Sequence, residues 1–183
     1  MMRRSHQQRR WDSFGNFLGG AAGYTLLEAI VVLAIIGILG AIAAPSVSHL
    51  ANVRLLSSAQ DQILQTMRRA QQEARNQRIN HRASFREVDG VVQLSVHPST
   101  APSTDIVWDN LPQGVRIDTE ATTFRRNSQG VYSIQFNYRG NVSGQLGRMT
   151  VWRPHQAMPK RCVFASTLIG VLREEADRKC IRS

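Results

Sequence analysis

Residues 24–44 read YTLLEAIVVLAIIGILGAIAA and contain one charged residue, Glu28. As an α-helix rising about 1.5 Å per residue, this stretch would be about 31 Å long, close to the thickness of a bilayer core. The apolar part of a cleaved secretory signal is shorter, about 7–15 residues. The stretch therefore predicts a helix that spans a membrane once and stays with the chain.

The charges on either side of this stretch predict its orientation. The first 23 residues contain four Arg and one Asp, and the next Lys or Arg after the stretch is Arg54. Because cytoplasmic flanks carry an excess of Lys and Arg, we expect the N-terminus in the cytoplasm and the C-terminal domain outside. In an exported domain, Cys162 and Cys180 would form one disulfide, whereas in the cytosol they would remain two thiols.

Glu28 is unusual because a carboxylate near the centre of a membrane helix costs about 2.5–3.5 kcal/mol, and less towards an end. Nothing within the helix can pair with it. Its partner should be another chain or a new positive charge nearby, such as a free α-amino group at Tyr24 if the chain is cut before that residue. The alternative is a Glu that is tolerated near the membrane interface.

The run Gly23-Tyr24-Thr25-Leu26-Leu27-Glu28, followed by an apolar stretch, resembles the leader cleavage signal of type IV prepilins and type II secretion pseudopilins. The family pattern is Gly, an aromatic residue, Thr, Leu, any residue and Glu, so Glu28 is fifth if Tyr24 is first. Pro45 then falls at position 22, where many members carry a helix-bending proline. Two departures are Tyr in place of the usual Phe and a leader longer than in many members.

This resemblance implies roles for the matching residues. Gly23 would be the cleavage site of a prepilin peptidase that removes residues 1–23 and methylates the new N-terminus at Tyr24. Glu28 would pair with the Tyr24 amine of a neighbouring subunit, since a buried carboxylate gains its cation only on assembly. The implied partners are other pilin or pseudopilin subunits, the peptidase, and the inner membrane before assembly, with the C-terminal domain periplasmic.

The rest of the chain predicts an α+β fold, in which a long N-terminal helix packs on an antiparallel β-sheet domain. After the hydrophobic helix at 24–44, residues 45–82 continue it as an amphipathic helix. Its apolar stripe is Val53, Leu56, Ala59, Ile63, Met67, Ala70 and Ala74. Residues 83–183 read as a β-rich domain with a hairpin turn at Asp89-Gly90. The predicted strands are 84–88, 91–96, 106–108, 115–117, 131–137, 149–153 and 162–168.

The β-rich part resembles the subgroup of the minor pseudopilin GspH and the minor pilin FimT. The features that carry this resemblance are Ala70-x-x-x-Ala74-Arg75, Trp108 with Gly114, Phe136-x-x-x-Gly140, and Val163 to Gly170-Val171-Leu172-Arg173. Some FimT-like members bind DNA during uptake through a C-terminal Gly-Arg-x-Arg motif. Here Gly170 and Arg173 match, but Val171 replaces the first Arg.

Arg178 and Lys179 are further candidate DNA contacts, whereas Glu174, Glu175 and Asp177 oppose a phosphate backbone. The net charge of +10 fits either an anionic partner or a soluble basic surface. The alternative to DNA contact is a terminal hairpin or tail that a disulfide closes.

No catalytic, cofactor or metal motif accompanies these features: the five His are scattered and no HExxH or nucleotide-binding motif occurs. We therefore expect a structural protein rather than an enzyme. The leading prediction is a minor pilin or pseudopilin of a type IV pilus or type II secretion pseudopilus, with a place at the tip as one option. The alternatives are a DNA-binding minor pilin for natural transformation and an uncut, monomeric single-pass membrane protein.

Overall fold

The computed structural model describes residues 25–154 and 159–181, without the side chains of residues 42–49. The chain forms two compact units, Met1–Ala43 and Ala44–Ser183, and helix α1 (Leu26–Gln77) contributes to both. The predicted residues Gly23 and Tyr24 lie outside the described part. Pro45 lies within α1, and its side chain is outside the described part.

Helix α1 ends at Gln77 because Arg78 adopts a left-handed conformation with φ of 57°, a common way to terminate a helix. The prediction that the helix continues to residue 82 is therefore wrong at its C-terminal end. Arg82 belongs instead to the first strand, where its backbone pairs with strands on both sides.

The predicted apolar stripe in the second half of α1 is confirmed. Six of its seven members are at most 1% exposed, and Val53 is half-buried. The six buried members share one hydrophobic core with side chains from the strands, including Phe85, Phe136, Met149 and Val163. Burial of this one face against the β-rich domain explains why a helix of mixed polarity is stable here.

A five-stranded antiparallel sheet has the strand order β3-β2-β1-β6-β5. Its strands are β1 (His81–Val88), β2 (Val91–Pro98), β3 (Asp109–Asn110), β5 (Arg125–Arg126) and β6 (Tyr132–Phe136). The predicted turn at Asp89-Gly90 is confirmed: both residues have positive φ, as a tight two-residue hairpin turn requires.

A second, four-stranded antiparallel sheet has the order β4-β7-β8-β9. Its strands are β4 (Arg116–Ile117), β7 (Gly147–Trp152), β8 (Lys160–Ala165) and β9 (Leu172–Ala176). Short 3-10 turns lie at Ser103–Asp105 and Asp177–Cys180. The strands are thus divided between two sheets, where the sequence indicated only an antiparallel sheet.

The sequence misplaced one strand and missed two others. The strand predicted at 106–108 is wrong: Val107 is 79% exposed, and this part of the chain joins the edge of β2 only from Asp109, where β3 begins. Strand β5 was not predicted because it consists of two Arg, and β9 was not predicted because three of its five residues are charged. Strands of this kind are formed by pairing with a neighbour and leave no apolar alternation in the sequence.

Candidate functional site

The motif Thr25-Leu26-Leu27-Glu28 forms the first turn of α1. The Glu28 backbone N–H donates to Thr25 Oγ1 at 3.2 Å, and the Ala29 N–H donates to the Thr25 carbonyl at 3.1 Å. Thr25 is therefore the N-cap, and Thr-x-x-Glu is the spacing of a capping box. The N-cap role of Thr25 was not predicted from the sequence, although the Thr-x-x-Glu spacing indicates it.

Glu28 lies at the positive end of the helix dipole, where a carboxylate is favoured over one in the middle of a helix. Its side chain is exposed, and within the described residues it forms no ion pair. Residues 25–41 contain no cationic side chain. A cation for Glu28 must therefore come from outside this helical segment.

The helix around Glu28 exposes large aliphatic side chains on every side. Ten of them are between 45% and 79% exposed: Leu26, Leu27, Ile30, Val31, Val32, Leu33, Ile35, Ile36, Ile38 and Leu39. A continuous exposed apolar surface of this kind marks a site of contact with lipid or protein. Within the described part of the chain, no helix meets the combined length and apolarity needed to cross a membrane. The membrane span remains a prediction.

Near the other end of the chain, the Cys162 and Cys180 sulfur atoms are bonded at 2.03 Å. Cys162 lies on β8 and Cys180 ends the 3-10 turn that follows β9, and both side chains are buried. The bond closes a loop with a sequence separation of 18. In the chain-entropy model, closing a loop of this length stabilises the folded state by about 3 kcal/mol, because it restricts the unfolded chain. The disulfide bond therefore attaches the C-terminal segment to the second sheet.

Two glutamines of α1 attach the same C-terminal segment to the helix. Gln60 Nε2 donates to the Cys162 carbonyl at 2.8 Å and to the Glu175 carbonyl at 2.9 Å. Gln71 Nε2 donates to the Gly140 carbonyl at 2.6 Å and to the Gly170 carbonyl at 3.1 Å. Neither glutamine was predicted from the sequence, because nothing distinguishes it there except its position directly after a member of the apolar stripe.

Gly170 has a structural role in this arrangement. It has a φ of +86°, and a Cβ atom there would lie 2.5 Å from the Gly140 carbonyl oxygen and 2.3 Å from Gln71 Nε2. Only glycine fits such a position without a shift of its neighbours. Close packing of the chain explains Gly170 without any contact to DNA.

The cationic candidates for DNA contact lie among carboxylates. Arg173 is 4.0 Å and Lys179 is 3.0 Å from Glu175, and the Arg173 guanidinium stacks on the Phe164 ring at 5.0 Å. Burial raises the pKa of Glu174, the nearby Asp61 carboxylate raises it further, and Arg68 opposes this rise. Arg178 is exposed. The structure thus brings Arg173 and Lys179 together around the Glu175 carboxylate, which offsets part of their positive charge.

Comparison with known proteins gives a match at the N-terminus. Residues 19–44, which include Gly23, Tyr24 and Glu28, match the family described as the prokaryotic N-terminal methylation motif. No curated protein matches the chain. The chain is therefore type IV pilin-like, on the ground of this N-terminal motif.

Two crystal structures of the type IV minor pilin FimU from Pseudomonas aeruginosa (strain PAO1) are similar to this chain. In space group P21, the identity is 14%, the TM-score is 0.48, and the match covers 68% of this chain and 94% of FimU. In space group P65, the identity is 14%, the TM-score is 0.46, and the coverage is 68% and 99%.

Proposed function

We propose that this chain is a minor pilin or pseudopilin, a structural and non-enzymatic subunit of a type IV pilus or of a type II secretion pseudopilus. The observation that carries the proposal is the placement of Glu28. The carboxylate lies in the first turn of α1, where the aliphatic side chains of residues 26–39 are exposed on all sides, inside the segment that matches the methylation motif. Such a helix is suited to packing among copies of itself or related subunits.

Processing would prepare this helix for assembly. A prepilin peptidase would remove residues 1–23 by cleavage after Gly23 and methylate the Tyr24 amine. The new amine would lie next to the cap residue Thr25, at the same helix end as Glu28. Before assembly, residues 24–44 would hold the chain in the inner membrane, with the Arg-rich leader in the cytoplasm and the β-rich domain in the periplasm.

Pairing between subunits would follow from the energetics of Glu28. Within the described residues its carboxylate has no cation, and burying it unpaired among aliphatic side chains is unfavourable. The Tyr24 amine of a neighbouring subunit would relieve this cost only when the two helices are in one register. Glu28 would thereby select correct assembly. A helix bend at Pro45 would adjust this packing, since proline interrupts helical hydrogen bonding.

The DNA-uptake alternative has less support at its candidate residues. Glu175 offsets part of the charge of Arg173 and Lys179, and Gly170 packs against Gly140 and Gln71. We therefore favour a role in filament assembly over DNA binding through residues 170–179.

The test compares Glu28→Gln with the matched control Glu73→Gln, in cells that make the filament and lack the native chain. Glu73 lies on the same helix, and its carboxylate accepts a hydrogen bond from Gln77 Nε2 at 2.9 Å. Because loss of one partner of a buried charge pair costs about 2–5 kcal/mol, we expect Glu28→Gln to lower the amount in sheared filaments about tenfold or more. The cell-associated level should not change, and Glu73→Gln should assemble normally. Equal incorporation of both variants would contradict the proposal.

A further inference from the structure

The outer face of the five-stranded sheet carries a polar cleft of about 780 Å³, which we name the arginine cleft. Its lining includes Arg82, Arg125, Ser128, Ser133, Gln135 and Gln145. Strand register explains the grouping: Arg82 lies opposite Gln135, and Arg125 lies opposite Ser133. Opposite residues share a face, and the neighbouring positions occupied by Ala83, Phe85 and Phe136 face the core. The cleft is therefore formed by three adjacent strands.

Three arginines line the cleft, Arg82, Arg125 and Arg126, and the first two approach it from opposite sides of β6. Arg82 Nε donates to Gln135 Oε1 at 2.9 Å, so the guanidinium reaches from β1 over β6. Arg125 lies on β5, on the other side of β6, and is exposed. Two strand spacings separate the backbones by about 10 Å, a gap that two Arg side chains can bridge through one small group between them. Ser133 lies on the strand between them.

The charge of the arginine cleft is not compensated by the described residues. No Asp or Glu lines it, and neither Arg82 nor Arg125 forms an ion pair within the described part of the chain. Other cations of the domain do form such pairs, among them Lys160 with Asp118 at 2.6 Å. An uncompensated pair of guanidinium groups in a polar cleft favours an anionic ligand.

We propose that the arginine cleft binds a phosphate group, either free or in a phosphate ester. A carboxylate presents two oxygens in one plane to a single guanidinium fork, whereas the oxygens of a phosphate point in several directions. Donors that approach from two sides, with serine hydroxyls and glutamine amides between them, suit the tetrahedral group. This site is separate from residues 170–179 and from the exposed helical residues 26–39.

The experiment is a calorimetric titration of the full chain in nonionic detergent at low salt. Inorganic phosphate and tripolyphosphate test for the free anion, glycerol phosphate tests for the ester, and a polyglutamate peptide tests for carboxylates. We expect saturable binding of a phosphate probe that Arg82→Gln and Arg125→Gln each weaken about tenfold or more. The matched control is Arg139→Gln, which removes an exposed arginine outside the cleft and should leave affinity unchanged.

Arg125→Gln keeps the test decisive even if Arg82→Gln disturbs the strand through its bond to Gln135. Equal loss with Arg139→Gln would show a general effect of charge and would overturn the proposal. Absence of saturable binding to every phosphate probe, or binding of polyglutamate as tight as that of phosphate, would also overturn it.

Discussion

The two parts of helix α1 follow opposite patterns of burial. From Leu56 to Ala74, apolar side chains form one stripe that is almost fully buried against the strands. From Leu26 to Leu39, apolar side chains occur on every face and remain 45% to 79% exposed. Residues 56–74 of the helix therefore pack against their own chain. The apolar side chains of residues 26–39 remain available for contact with other molecules.

This difference separates stability from assembly within one helix. Substitutions in the buried stripe should act on the folding of the β-rich unit, because they remove contacts that the chain makes with itself. Substitutions in the exposed part should act on contacts with other molecules, because the single chain gains little from those side chains.

The largest expected effect comes from a matched pair of isoleucines in the two parts of the helix. Ile63→Ala removes a side chain that is 1% exposed and should lower the free energy of unfolding by about 2–5 kcal/mol. Ile36→Ala, at a 60% exposed position, should change it little. Urea unfolding of the full chain in nonionic detergent measures both. Similar losses for the two variants would mean that the two parts of the helix do not differ in this way.

A somewhat smaller effect is expected when the disulfide is removed. Cys162→Ser with Cys180→Ser should lower the free energy of unfolding by about 3 kcal/mol, since the unfolded chain regains the freedom that the loop closure removed. Incorporation through Glu28 should be affected only through that loss of stability. A non-reducing gel checks the bond in the wild type: unchanged mobility on reduction, with two alkylatable thiols, would contradict it.

The smallest expected effect is a dependence of stability on pH through His97. The Ser84 hydroxyl lies 2.9 Å from His97 Nε2, and Nδ1 lies 2.8 Å from the Pro98 carbonyl. Burial lowers the pKa of His97, the Pro98 carbonyl partly opposes this, and Arg82 and His81 lower the pKa further. Below about pH 6.5 the unfolded state then binds more protons than the folded state, so stability should fall as pH decreases.

Thermal unfolding from pH 8 to pH 5 measures this dependence. We expect the decline in Tm on acidification to be shallower in His97→Gln than in the wild type. The same slope in both proteins would show that His97 does not cause it. Because His97 lies on β2, we expect its protonation to act on the β-rich unit and to leave helical residues 26–39 unaffected.

Local sequence signals predicted the parts of the fold that depend on neighbouring residues. The three- and four-residue spacing from Leu56 to Ala74 indicated the buried stripe, and Asp89-Gly90 indicated the first hairpin. The arginine cleft had no such signal, because Arg82 and Arg125 are brought onto one face only by pairing on both sides of β6. Strands β5 and β9 were missed for the same reason.

The proposed assembly site could be put forward from the sequence alone, because its chemistry lies in one continuous run of residues. Glu28 stands out as a single charge in an apolar stretch, and Gly23 and Tyr24 precede it directly. By contrast, the role of Gly170 depends on the approach of Gly140 and Gln71, which are distant in sequence. The match of Gly170 to one position of the Gly-Arg-x-Arg motif could not show whether this residue packs against the chain or contacts a ligand.

The most direct test is mass spectrometry of the N-terminus of the chain from its native host, with and without an active prepilin peptidase. We predict that the mature chain begins at Tyr24 with a methylated amine, and that residues 1–23 remain when the peptidase is absent. A chain that keeps the Arg-rich leader in the presence of active peptidase would contradict the account, because Glu28 would then lack the amine that we propose as its partner.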